Sequence, residues 1–260
     1  MGENKIRSIS LGDGRSFKKA FLRWEWMLVL LLIAVNVMNI AISPNYLNTK
    51  NLASTMKIFL DKGIVAITMT MVLLLGEIDI SVGSMMALSG TIMGLVGNAG
   101  GNFLEVALAG LLTGTLCGFF NGFLITRFTE LSSTIITLAN QIFFRGIALV
   151  ILENRAYAEF PAGVKFMSWG SVFNVPFILV FFLLEVIGIT YLVHFTTFGR
   201  SLFAMGRNIK ASYYSGVKTD QIKIAVFTMN GMAASISSLF LISKLASARA
   251  NMAKNYDMDI

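Results

Sequence analysis

One cysteine, one histidine and three prolines are all that this sequence of 260 residues holds of those types, and each shortage excludes something. A lone thiol, Cys117, closes no intrachain disulfide, and with a lone imidazole, His194, it offers no ligand set for zinc, so no metal is expected. No nucleophile and base come together from neighbouring motifs, which leaves no catalytic residue to name and makes an enzyme the least favoured class. A Gly-x-x-x-x-Gly-Lys-Ser/Thr phosphate loop is also missing, so the chain brings no ATP site of that kind. Charge is scarce too: charged residues make up 13% of the chain, about half the share of an average soluble domain. The net charge of +7 comes mostly from basic residues in tails and loops between apolar runs. They read as topology determinants, not as a nucleic-acid surface.

What is abundant is apolar. Hydrophobic residues are 55% of the chain, the mean hydropathy is +0.72, and there are 23 glycines. The expected fold is all-α, a polytopic transmembrane helix bundle of about seven spans with the lipid bilayer as its surroundings. Spans are expected at Trp24–Ile42, Lys57–Gly76, Ile78–Gly97, Phe103–Ile125, Ile135–Leu152, Val172–His194 and Ile222–Ile242. Residues 1–23 form a polar tail carrying Lys5, Arg7, Arg15, Lys18, Lys19 and Arg23. No small-residue cleavage site follows it, so it is not a removed signal, and its positive charge keeps it in the cytoplasm. Odd spans then run outward. Loops 43–57 and 153–171 fall outside, and Arg127 and the 195–221 stretch fall inside. The chain divides into the tail 1–23, a transmembrane domain 24–245 with a cytoplasmic segment 196–221, and a polar end 246–260.

The stretch from Gly76 to Gly83 puts two acids, Glu77 and Asp79, between apolar runs. Read as one helix, residues 58–97 would be about 60 Å long, twice the hydrocarbon thickness, so the chain must break, and the two glycines mark where. An acid at membrane depth faces protein or a water-filled path; the other reading is a short cytoplasmic turn with solvated acids. Glu77 and Asp79 are therefore pathway-lining groups or helix-orienting ones. Further along, Gly110, Gly114, Gly118 and Gly122 recur every four residues, a small-residue stripe for tight contact with another helix. Arg145 and Glu185 also lie within apolar runs and need partners or water.

In the cytoplasmic stretch, Asn208 reads as an N-cap and Gly216 as a helix stop, bounding a short helix. Such a helix suits docking into a groove on another protein, or lies on the lipid with Tyr213 and Tyr214 at headgroup level.

Gly76-Glu77-Ile78-Asp79-Ile80-Ser81-Val82-Gly83-Ser84 resembles the Gly-Gly-Ile-Asp-Leu-Ser-Val-Gly-Ser motif of the permease subunits of bacterial ABC importers for simple sugars, typified by the ribose permease. Asn121-Gly122-Phe123-Leu124-Ile125, Arg145-Gly146, Thr197-Phe198-Gly199-Arg200 through Ser215-Gly216-Val217, and Tyr256-Asp257-Met258-Asp259-Ile260 follow the same family's order. Glu77, Arg23-Trp24-Glu25-Trp26 and Ala156-Tyr157-Ala158-Glu159-Phe160-Pro161 look most like its rhamnose-permease branch. Leu131-Ser132-Ser133 stands where a Pro-Pro pair is common, and Thr137-Leu138-Ala139 where Thr-Leu-Gly is usual. Family members continue beyond the position of Ile260, so a truncated chain is expected.

The resemblance implies a multi-pass permease of the bacterial inner membrane that passes a ribose- or rhamnose-like monosaccharide. Implied partners are a separate ABC ATPase, which binds the ATP so that this chain has no cofactor, a second permease subunit, identical or a sister chain, and an outer sugar-binding protein. The ATPase would be gripped through Arg207, Asn208, Ala211, Tyr214, Ser215 and Gly216. An uncharged sugar needs hydrogen bonds along its path, and Glu77, Asp79, Ser81, Asn121, Thr137, Asn140 and Gln141 could supply them. Two other classes stay open: a secondary transporter coupled through Glu77, Asp79 or Glu185, and a non-transporting assembly or regulatory membrane protein.

Overall fold

The computed structural model describes residues 24–43, 46–153, 155–173 and 175–259. The basic tail 1–23, Pro44 and Ile260 lie outside the described residues. Contacts divide the chain into two units, one up to Leu52 and one from Ala53 onward.

In the first unit, α1 (Trp24–Ile42) is apolar almost throughout, and Leu31, Leu32 and Val37 stand exposed. Its two interior asparagines are satisfied locally. Asn36 donates to the Leu32 carbonyl at 2.7 Å and Asn39 to that of Val35 at 2.9 Å. Tyr46 donates to Asn36 Oδ1 at 2.8 Å, fixing the turn that leads into α2 (Thr49–Leu74). An apolar helix whose interior amide donors return to its own turns is suited to lipid.

In the second unit, α2 continues into the break, and α3 (Val82–Asn98) follows, buried along nearly its whole first three turns. Around α3 pack α4 (Phe103–Arg127), α5 (Ser133–Leu152) and α10 (Thr219–Leu245). The most extensive pairing is α4 with α10. A Cβ on Gly118 would lie 2.3 Å from the Phe227 carbonyl oxygen, and one on Gly231 would lie 2.2 Å from that of Gly114. Only glycine lets these backbones meet. Lipid tails give apolar surfaces no reason to associate, so such close contact supplies the attraction instead. The other face of α4 presents Leu104, Leu108, Leu112 and Leu116 outward.

The stretch expected as an open outer loop, 153–171, contains a helix, α6 (Ala162–Trp169). Its Ser168 hydroxyl donates to the Phe240 carbonyl at 2.6 Å, and its Trp169 indole to that of Ser243 at 3.2 Å. A two-residue hairpin, β1 (Ser171–Val172) with β2 (Val175–Pro176), then leads into α7 (Phe177–Phe195), which starts later than the expected sixth span. The stretch is too short in apolar periodicity to read as a helix; its contacts with α10 hold it. After α7 come α8 (Thr197–Arg207), α9 (Ile209–Tyr214) and α10.

Residues 246–259 fold back along α3. Ala248 exchanges backbone hydrogen bonds with Tyr157, and Ala248, Ala250, Met252 and Ala253 are buried. Gly83 and Gly90 of α3 lie against the Ala253 carbonyl and the Met252 side chain. A last short helix, α11 (Tyr256–Asp259), ends the described chain.

Among the described residues, α4, α5, α7 and α10 are long and apolar enough to cross a membrane, with α1 and α3 apolar but shorter. The protein is a polytopic helical membrane bundle.

Candidate functional site

The break between α2 and α3 is built from local rules. Gly76 adopts φ +75°. The Gly76 and Glu77 N–H groups donate back to the Leu73 and Val72 carbonyls at 2.9 and 3.2 Å. This is the Schellman geometry that ends a helix on a left-handed glycine. The extended residues that follow are paid no hydrogen bond by a sheet or helix, so α5 provides them. Ile78 N–H donates to Ser133 Oγ at 3.3 Å and Ile80 N–H to Thr137 Oγ1 at 3.2 Å. Helix α3 then starts after Ser81.

Asp79 is 1% exposed and sits just ahead of that helix start. Its Oδ1 accepts from the Ser81 N–H at 2.9 Å and the Ser81 hydroxyl at 2.7 Å. Its Oδ2 accepts from Asn230 Nδ2 of α10 at 2.9 Å. Negative charge at a helix N-terminus is further favoured by the helix dipole. The network continues on both sides. Asn230 Oδ1 lies 2.9 Å from Thr68 Oγ1 of α2. Asn121 of α4 donates to Ser81 Oγ at 2.6 Å, and Asn140 of α5 donates to Asn121 Oδ1 at 2.7 Å. Five elements thus meet at one buried polar node. Asn121 and Asn140 lie six and seven residues from the ends of their helices, so the node lies roughly 10 Å inside the bundle. A short solvated turn does not describe it; the polar groups are buried and hydrogen-bonded to one another.

Glu77 behaves differently. It pairs with Lys223 at the start of α10, and both side chains keep some exposure, 18% and 14%. The pair forms part of the wall of a cavity of about 340 Å³, also lined by Thr129, Ser132, Ser133 and Thr134.

Of the residues expected along a pathway, Asp79, Ser81, Asn121 and Asn140 come together in the node, Thr137 holds the break, and Glu77 stands at the cavity. Gln141 lies apart, its amide 3.4 Å from Asp257. Arg145 donates to the Ala250 and Met252 carbonyls at 2.8 and 3.3 Å, holding the returning segment against α3. Sequence reasoning missed Asn230, Thr68 and Lys223. The signal available for Asn230 is that it is the one side-chain amide in the expected span Ile222–Ile242. A second cluster was also unforeseen. Buried Asp61 of α2 accepts from Lys244 at 2.7 Å and from Tyr256 at 3.0 Å, joining α2, α10 and α11, and Lys62 pairs with Asp259 at 2.6 Å.

The stripe glycines lie at helix contacts: Gly114, Gly118 and Gly122 against α10, and Gly110 against Met93 of α3. No group of three or more His, Cys, Asp or Glu side chains that could hold a metal ion occurs among the described residues.

At the end of the bundle that carries the break, α8 and α9 form an exposed pair of helices. Thr196 caps α8, accepting from Gly199 N–H at 3.3 Å, and Asn208 caps α9, accepting from Ala211 N–H at 3.0 Å. Gly216 (φ +85°) stops α9 with the same backbone pattern as Gly76: its N–H reaches the Tyr213 carbonyl, and the Val217 N–H that of Ser212. Tyr213 and Tyr214 are 64% and 87% exposed. Gly206 of α8 touches the broken span itself, since a Cβ there would lie 2.0 Å from the Leu74 carbonyl oxygen.

A family profile described as branched-chain amino acid transport system / permease component matches residues 51–260. The ribose import permease protein RbsC of Escherichia coli is 28% identical over 249 residues, 94% of this chain and 77% of the relative. The protein of the same name from Bacillus subtilis is 29% identical over 234 residues, 89% of this chain and 71% of the relative. The autoinducer 2 import system permease protein LsrC of Yersinia pseudotuberculosis is 33% identical over 182 residues, 70% of this chain and 52% of the relative. No solved structure matches.

Proposed function

We propose that this chain, which belongs to the family of transport-system permease components, is the membrane-spanning permease subunit of an ATP-binding-cassette importer for a monosaccharide. As a family member it is a multi-pass protein of the inner (plasma) membrane and a transport permease, not an enzyme. The names of its relatives, a ribose permease and an autoinducer 2 permease, support a small polyhydroxylated cargo. The rest of the machine comprises an ATPase subunit that binds the nucleotide, a second permease chain and an outer sugar-binding protein.

The observation that carries this reading is the exposed α8–α9 pair seated on the broken span. Tyr214 and its neighbours offer an uncovered surface, while Gly206 brings the same unit against the Leu74 carbonyl, two residues before the break. A partner holding Arg207, Asn208, Ala211, Tyr214, Ser215 and Gly216 therefore pushes on the segment that positions Glu77 and Asp79. The Asp79 carboxylate is occupied by Ser81 and Asn230, an arrangement suited to fixing helices and not to carrying a proton back and forth.

The test is co-purification in detergent with the ATPase subunit encoded beside this chain. Wild type is expected to retain the ATPase, and the double variant Ala211→Arg, Gly216→Arg to lose it while eluting as folded protein. Retention by the double variant would remove α9 as the docking site; absence of the ATPase from both would sink the importer reading. A second variant separates docking from transmission. With Gly206→Val the ATPase is expected to stay bound, while sugar uptake by reconstituted importer falls at least about tenfold, about 1.4 kcal/mol of lost coupling. Uptake at the wild-type rate would show that the α8–Leu74 contact transmits nothing.

A further inference from the structure

We propose that the cavity walled by Glu77 and Lys223 is a low-affinity site for a neutral polyhydroxylated ligand, the sugar at its last stop before the cytoplasm; this rests on the importer reading above. At about 340 Å³ it falls in the range of small-molecule sites. Its lining is rich in hydroxyls: Thr129, Ser132, Ser133 and Thr134. Among the described residues, Thr129 and Thr134 have hydroxyls with no hydrogen-bond partner. Ser132 and Ser133 each accept one bond from backbone, from Ile135 and Ile78, and still have a proton to donate. A sugar hydroxyl donates and accepts in the same way.

Charge decides the ligand class. Glu77 and Lys223 compensate each other across the wall. A phosphate or carboxylate would have to draw Lys223 out of that pair and would face Glu77, whereas a neutral polyol leaves the pair intact. Position supplies the rest. The cavity opens at the end of the bundle that carries α8 and α9, and Gly76, part of its lining, follows directly on the Leu74–Gly206 contact. A partner that moves α8 therefore reshapes this cavity, which is where release would be timed.

The experiment uses the whole importer, with its ATPase and partner permease, in inside-out membrane vesicles. A single reporter, Thr134→Cys in a Cys117→Ser background, is labelled with a membrane-impermeant methanethiosulfonate from the cytoplasmic side. Rates are measured alone and with millimolar D-ribose, L-rhamnose, inorganic phosphate or glycine betaine. Slowing by one of the sugars of about threefold, the value for ligand near twice its Kd, with no slowing by phosphate or betaine, is the expected result. Slowing by phosphate alone, or equal rates throughout, would overturn the proposal. Should Thr134→Cys fail to assemble, Leu131→Cys at the cavity mouth gives the same reading. Labelling needs no turnover, so it is separable from import by the wild-type complex. Import without protection removes the site and leaves the function; protection without import removes the importer reading and leaves the site.

Discussion

Asp79→Leu is expected to destabilise the folded protein strongly, and Asp79→Asn to restore most of that stability. The aspartate accepts three hydrogen bonds inside the bundle, two from Ser81 and one from Asn230. Leucine leaves those donors buried and unpaired, and each such loss costs about 1–3 kcal/mol, so the sum is at least about 3 kcal/mol. In a thermal-shift assay on detergent-solubilised protein, that corresponds to a midpoint lower by roughly 6–12 °C on soluble-domain scaling. Asparagine keeps the shape and one acceptor for Ser81. Its new amide would face the Asn230 amide, but Asn230 can turn over. Its oxygen then accepts from residue 79, and its nitrogen donates to Thr68 Oγ1, whose proton goes to the Val65 carbonyl, 3.0 Å away. Every bond in the chain of donors survives the reversal. The pair of variants therefore separates a hydrogen-bonding role from a charge role. If asparagine is as damaging to folding as leucine, the negative charge itself holds the node. If it folds well but abolishes uptake, a titrating carboxylate is part of transport, and the secondary-transporter class regains support.

Much of this node was legible in the sequence, and the reasons divide by residue. The break could be read because a helix of 40 residues is too long for the membrane and two glycines bracket two acids. Both ends of α9 could be read because an N-cap asparagine and a stopping glycine act locally, through their own backbone. Asn230 and Lys223 could not be joined to Asp79 and Glu77 in the same way. They are about 150 residues away in the chain, and only the packing of α10 brings them near. The α6 helix was hidden because eight residues give too little periodicity and its support comes from Phe240 and Ser243. The burial of 246–259 was hidden for a related reason. Its charged residues, Arg249, Lys254, Asp257 and Asp259, suggested solvent, while Ala248, Met252 and Ala253 among them are what fit against Gly94, Gly90 and Gly83 of α3.

Gly118→Leu and Gly231→Leu are expected to abolish assembly of the bundle, and single alanines along the same stripe to rank by what each new methyl meets. At Gly118 the nearest atom is the Phe227 carbonyl oxygen at 2.3 Å, and at Gly231 the Gly114 carbonyl oxygen at 2.2 Å. Both are backbone inside packed helices, so α4 and α10 must separate to admit even a methyl group. Such overpacking costs about 1–3 kcal/mol, and the separation also gives up the close contact that attracts helices in lipid. Gly110 presents the opposite case. All three of its nearest atoms belong to the Met93 side chain, the terminal methyl at 1.8 Å, Cγ at 2.6 Å and Sδ at 2.8 Å, so a new methyl displaces one unbranched side chain and no backbone. Replacing a mid-helix glycine by alanine gains up to about 1 kcal/mol in helix propensity, which offsets part of that cost, so Gly110→Ala is expected to lose less than Gly118→Ala. Gly122, facing the Ile224 Cα at 2.7 Å, should fall with Gly118. Thermal midpoints of the four alanine variants, measured in one detergent, decide the matter. A uniform loss would mean that the whole stripe needs glycine for flexibility. A loss concentrated at the positions facing backbone would mean that glycine is there so that α4 and α10 can touch, which is the contact that places Asn121 and Asn230 on either side of the break.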